Sequence, residues 1–167
     1  MQERGTVPPL IAAARQRRYA LVGGVAAVVV TVDQLTKWWA VDRLANGPMT
    51  ILGPVRLALS RNTGGAFGLG RGFLPLVLLA AVALVVVLVT VGRSIDRSSV
   101  AVALGLVLGG ALGNLADRLF RSPGLFRGAV VDFVDLRWWP VFNAADAAIS
   151  IGCVLLVLLS LARAHPE

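Results

Sequence analysis

The stretch VVDFVDLRWWPVFNAADAAISIG, residues 130–152, sets two acidic residues, Asp132 and Asp146, on either side of the entry to the last apolar segment. Asp132 lies within a short apolar run, and Asp146 stands at the head of about sixteen uncharged residues. A carboxylate near hydrocarbon costs free energy, so ionisable residues inside a membrane are functional candidates by default. The chain carries nine acidic residues in all, which gives the pair weight. Two acids meeting at one membrane face share a proton and activate water, and that possibility reads as an enzyme.

The rest of the chain supplies the membrane. Of 167 residues, 57% are hydrophobic, and the mean hydropathy is +0.79. Soluble domains average roughly 45–50% apolar, so the excess points to lipid. Four apolar segments stand out, at 19–41, 73–91, 100–116 and 142–162. Each approaches the roughly 20 residues a helix needs to cross hydrocarbon. The expected fold is all-α and integral to the membrane: four transmembrane helices, with a small extracytoplasmic β or amphipathic element after the first. That element is expected in 42–72, where ILGPVRLALS has β-compatible runs bounded by Gly-Pro turns. Residues 1–14, with Pro8 and Pro9, read as a flexible tail, 15–163 as a single membrane domain, and 164–167 as a second tail. The first segment exceeds the 7–15-residue apolar core of a signal peptide and has no small-residue cleavage site, so it reads as a retained helix.

Charge narrows the partners. The net charge of +7 is spread through the membrane-flanking loops without a nucleic-acid motif, which favours anionic lipid head groups over nucleic acid. Arginines on the two sides tie at seven each, and the cluster Arg15, Arg17, Arg18 before the first helix places the N-terminus in the cytoplasm. An even number of spans then places both termini there. The four tryptophans fall in two pairs, Trp38–Trp39 and Trp138–Trp139, as an aromatic belt at the outer interface requires. Cys153 is the sole cysteine, so no internal disulfide forms, and it reads as a small buried apolar residue.

Further polar residues collect at the same depth. Asp33 and Lys37, the chain's only lysine, are spaced i,i+4 and share a helix face. They read either as an ion pair ending a span or as a pair that anchors a loop or meets a polar substrate group. Asn114, Asp117 and Arg118 end the third segment on neighbouring positions, after the close-packing sequence GGALG. Asn143 suits an N-cap, and Asp146 in the following turn suits the helix dipole, so capping alone accounts for Asp146 but not for Asp132. His165 is the sole histidine, the third residue from the end, which excludes Ser-His-Asp and Cys-His arrangements. Metal-ligand spacings and phosphate-binding glycine motifs are missing, so no cofactor or metal is expected. Carboxylates remain.

Five blocks carry a family resemblance: VDQLTK at 32–37, RNTGGAFG at 61–68, GGALGNLADR at 109–118, VVDF at 130–133 and FNAADAAI at 142–149. Together they resemble the lipoprotein, or type II, signal peptidases, which are integral-membrane aspartic proteases. The resemblance implies Asp132 and Asp146 as the catalytic pair. It implies Asn62, Asn114, Arg118 and Asn143 as the polar network around them, and Asp33 and Lys37 as support for the site and its outer loop; the small residues Gly109, Gly110 and Ala145 would make room for backbone or lipid contact. Asp117 is placed as structural and Asp135 as a loop residue. Two departures are visible: NTGGAF in place of the common NxGAAF, and a longer connection at 119–129 containing RSPGLF.

The resemblance further implies a bacterial cytoplasmic-membrane enzyme with its site toward the outer leaflet. Its substrates would be diacylglyceryl-modified prolipoproteins, cut immediately before the lipidated cysteine, and it would be sensitive to globomycin-type inhibitors. The competing class is a small non-enzymatic four-helix protein, a proton-coupled transporter or assembly factor. A presenilin-like protease would require a GxGD block, which the chain lacks.

Overall fold

The computed structural model describes residues 9–63, 97–122 and 128–164. Three helices occupy most of them: α1 (Pro9–Arg43), α2 (Ser98–Phe120) and α3 (Ala144–Ala164). Three strands accompany them: β1 (Met49–Leu52), β2 (Val55–Asn62) and β3 (Val130–Asp135). All three helices are long and apolar enough to cross a membrane, over Ala13–Arg43, Ser98–Phe120 and Ala144–Ala162.

The expected four-helix architecture is corrected by these findings. The described residues hold three membrane-length helices and a three-stranded sheet, and the segment 73–91 lies outside the described residues. Apolar length alone suggested the fourth helix, and length does not establish packing partners. The description all-α also gives way to helices with a small sheet. Helix α1 begins at Pro9, inside the segment expected as a tail, because a proline's fixed φ and missing N–H suit the first helical position.

Small residues set how the helices meet. A Cβ at Gly105 would strike Val25, one at Gly109 would strike Val29 and Ala26, and one at Gly113 would strike Asp33. The order of these contacts rises along both chains, so α1 and α2 run parallel at close range. A Cβ at Gly110 would meet the Ala145 carbonyl, and one at Gly152 would meet Val107 and Ala103, so α3 runs antiparallel to α2. Outward faces stay apolar: Val28, Val32 and Leu35 on α1 and Ile151, Val154 and Leu158 on α3 are exposed, as lipid contact requires, and Cys153, expected to be buried, is exposed on α3 as well.

The sheet caps one end of this bundle. Its order is β1-β2-β3, antiparallel throughout, with Gly53 at φ 53 closing the β1–β2 turn in the left-handed region. Phe133 of β3 packs with Ala40 and Leu44 at the end of α1, beside Leu57 and Leu59 of β2. The sheet forms where expected after α1, and it recruits the distant strand β3 as its third member. Register sets Ser60 opposite Asp132 and Asn62 opposite Val130. Asp135, expected in a loop, ends that strand opposite Arg56.

Candidate active site

The start of α3 is tied by a reciprocal cap. The Asn143 Oδ1 accepts the Asp146 backbone N–H at 3.0 Å, and the Asp146 Oδ2 accepts the Asn143 backbone N–H at 3.2 Å. This is the capping-box geometry, with an aspartate in the third helical position. Asn143 is fully buried and has its Nδ2 left to donate: to Asp132 Oδ1 at 2.6 Å, to Asn114 Oδ1 at 3.1 Å and to the Val131 carbonyl at 3.3 Å. One residue therefore holds both acids, Asp146 by its backbone and Asp132 by its side chain.

Asn114 of α2 closes the ring from the other side. Its Nδ2 donates to Asp146 Oδ1 at 2.8 Å, while its Oδ1 accepts from Lys37 Nζ at 2.9 Å. Lys37 is fully buried, and its three ammonium hydrogens meet three acceptors: Asn114, Asp33 Oδ2 at 2.8 Å and Asp117 Oδ2 at 3.0 Å. Asp33 in turn accepts the Ala145 N–H at 3.0 Å, which caps α3 from α1. Asp117 accepts from the Val131 N–H at 3.0 Å and pairs with Arg121 at 2.6 Å, fixing β3 to α2. The pair Asp33–Lys37 thus lies inside the scaffold, where it organises the helix that carries Asp146.

Arg118, buried, joins the strands. Its Nη1 donates to the Asn62 carbonyl at 2.7 Å and to the Gly128 carbonyl at 3.1 Å, and its charge lies close enough to Asp132 to interact. The Asn62 amide also hydrogen-bonds the Asp132 carboxyl. Gly110 and Ala145 face each other where α2 crosses α3, so they bring the backbones of Asn114 and Asp146 within side-chain reach. Every residue singled out in the sequence for the site therefore belongs to one connected set. Gln34 was missed: its Nε2 donates to Asp33 at 3.1 Å, to the Gly113 carbonyl at 3.1 Å and to Asp117 at 3.2 Å. Its place between Asp33 and Lys37 in VDQLTK was the available signal.

Burial distinguishes the two acids. Asp132 is 3% exposed, and burial, followed by the negative charge of Asp146, pushes its carboxyl up to about 6. The Asn143 hydrogen bond, the Lys37 charge and the Asn62 hydrogen bond act in the opposite direction without cancelling that rise. Asp146 is half-buried and borders a cavity lined by Trp138, Trp139 and Phe142. A buried acid beside a more accessible one is the arrangement that splits acid and base roles between carboxylates.

The family model for signal peptidase (SPase) II matches residues 25–162, which includes every residue of this constellation. The chain belongs to the signal peptidase II family. The lipoprotein signal peptidase of Rhodococcus jostii (strain RHA1) is 46% identical over 165 residues, covering 98% of this chain and 82% of that protein. The lipoprotein signal peptidase of Mycobacterium tuberculosis (strain ATCC 25618 / H37Rv) is 44% identical over 162 residues, covering 96% of this chain and 80% of that protein. Among solved structures, a bacterial membrane enzyme determined by the in meso method at 1.9 Å superposes with a TM-score of 0.71 at 27% identity, over 82% of this chain and 90% of that one. A second, at 2.3 Å, gives 0.68 at 28% identity, over 82% of this chain and 85% of that one. As a signal peptidase II the chain is a multi-pass membrane protein and an aspartic protease, and its apolar helices suit that placement.

Proposed function

We propose that Asp132 and Asp146 are the water-activating dyad with which this signal peptidase II removes signal peptides from prolipoproteins. The observation that carries the assignment is Asn143, which hydrogen-bonds both acids from the first turn of α3. The raised Asp132 carboxyl suits the protonated partner that polarises the scissile carbonyl, and a charged Asp146 takes a proton from the attacking water. The gem-diol then collapses: the carbon–nitrogen bond breaks as a proton passes to the leaving amine. No covalent acyl-enzyme is needed. Asn114 and Asn143 keep the acids in place through the cycle, and Lys37, Asp33 and Asp117 keep those two amides in place.

The substrate is the diacylglyceryl-modified prolipoprotein of a bacterial cytoplasmic membrane, cut immediately before the lipidated cysteine. Acyl chains remain in lipid while the peptide bond reaches the acids at the bundle's end. The four tryptophans gather at that end, which supports a membrane–water interface there, and we assign it to the outer leaflet. The start of α1 and the end of α3 leave at the opposite, cytoplasmic side. Globomycin-type inhibitors would compete at the same acids. A proton-coupled transporter is disfavoured, because the polar groups gather at one end rather than along a path through the bundle.

Separate Asp132→Asn and Asp146→Asn variants, assayed on a lipidated precursor, test the dyad. Each is expected to lose roughly 10²–10⁴-fold in turnover. Near-normal cleavage by either one sinks the assignment.

A further inference from the structure

Charge is sorted between the two ends of the bundle. Among the described residues the acids are Asp33, Asp42, Asp117, Asp132, Asp135 and Asp146, and all lie toward the end that carries the sheet. At the opposite end the described charged residues are arginines: Arg15, Arg17 and Arg18 early in α1, Arg97 just before α2 and Arg163 in the last turn of α3. Hydrolysis at the other end uses none of them.

Packing gathers these cations. Leu21 and Val22 of α1 pack against Ala101 and Leu104 of α2. The two helices run parallel, so about one turn further back Arg17 and Arg18 stand level with Arg97. The Arg15 Nε donates to the Tyr19 hydroxyl at 3.2 Å, and its guanidinium lies 5.6 Å from the centre of that ring. This contact lays the Arg15 side chain along α1, toward the apolar segment.

Depth selects the partner. Tyr19 and Trp38, both exposed on α1, are separated by a helical rise of about 28 Å, close to the roughly 30 Å of bilayer hydrocarbon. Tyrosine and tryptophan favour membrane–water interfaces, so with Trp38 at one interface Tyr19 marks the other. Arg15, Arg17 and Arg18 then stand immediately outside the hydrocarbon, at head-group depth. The planar donor fork of arginine suits phosphate oxygens. A soluble anion gains nothing from this depth, whereas a phospholipid phosphate is held there by its own acyl chains.

We infer that Arg15, Arg17, Arg18 and Arg97 form a site for the phosphate head groups of anionic phospholipids, which anchor the helix that carries Asp33 and Lys37. On the orientation proposed above, the leaflet is the cytoplasmic one.

The test follows thermal unfolding of the full-length enzyme in vesicles of phosphatidylcholine, alone or mixed with an equal part of phosphatidylglycerol. No substrate is present, so neither the proposed dyad nor the orientation enters the result. Phosphatidylglycerol is expected to raise the melting temperature of the unaltered enzyme by about 2–4 °C or more. The combined variant Arg15→Gln, Arg17→Gln and Arg18→Gln, which keeps good helix formers in α1, is expected to lose that rise. Arg43→Gln, Arg61→Gln and Arg137→Gln together remove the same charge from exposed positions at the sheet end and are expected to leave the rise intact. An equal loss from both variants would mean a response to net charge alone and overturns the inference. A rise reproduced by inorganic phosphate in pure phosphatidylcholine overturns it too, because the site would then take a soluble anion. A second measurement does not depend on melting. In detergent, binding of short-chain phosphatidylglycerol, read by native mass spectrometry, is expected to be at least about tenfold weaker for the α1 variant than for the unaltered enzyme. Equal binding by the two sinks the site.

Discussion

Asn143 has one side chain and three tasks: it caps α3, donates to Asp132 and donates to Asn114. Asn143→Ala is expected to cost about 0.5–2 kcal/mol from the cap alone, and to reduce cleavage far more than that stability loss explains. Thermal unfolding in detergent, read beside turnover, separates the two effects. Asp132 gives a prediction of opposite sign. Its carboxyl stays protonated in the fold up to about pH 6, whereas in the unfolded chain it ionises near the ordinary 3.8. The fold gains from this group at low pH and loses that gain as the pH rises through 6. Asp132→Asn, which resembles the protonated form, is therefore expected to melt above the unaltered enzyme at pH 8, by on the order of 1–3 kcal/mol, and level with it near pH 4. A gap of equal size at both values would show that charging Asp132 costs the fold nothing. At Lys37 the loss is larger. Lys37→Met leaves Asp33 and Asp117 buried beside each other without their cation, and a loss of about 3–5 kcal/mol is expected in the same melting assay.

Among elements, the contact between α1 and α2 governs where the acids stand. A Cβ at Gly113 would lie 2.6 Å from Asp33 Oδ2, while one at Gly24 of α1 would meet nothing within 4 Å. Gly113→Ala is expected to destabilise by about 1–3 kcal/mol and to impair cleavage, because Asp33 must leave the Ala145 N–H. Gly24→Ala is the matched comparison and is expected to be neutral or slightly stabilising. Melting curves of the two variants check the contrast. The helices were legible in the sequence because apolar length and i,i+4 polar pairs are local signals. Strand β3 was not. VVDFVD is buried on both faces, so it shows none of the alternation that marks a half-exposed strand, and its partner β2 lies about seventy residues upstream. The helix-to-helix bonds, such as Asp33 to Ala145, were equally invisible, since spacing within one helix cannot show what another helix brings to it. Membership of the constellation was readable, but its wiring was not.

At the scale of the whole molecule, parallel α1 and α2 with antiparallel α3 put the sheet, the acids and the tryptophans at one end. Single cysteines at Gly47 and Arg137, introduced with Cys153→Ser, are expected to react with a membrane-impermeant reagent from the same side of sealed vesicles, and a cysteine at Arg15 from the opposite side. Labelling of Gly47 and Arg137 from different sides would contradict the arrangement. The last point concerns biosynthesis. The residue that caps the first turn of α3 is also the residue that donates to Asp132, so the cap and the hold on Asp132 meet in one side chain. A nascent chain that has placed only α1 and α2 owns Lys37, Asp33, Asn114 and Asp117 but has no second acid to position. On the proposed dyad, hydrolytic power would arrive only with placement of the final helix, which brings Asp146.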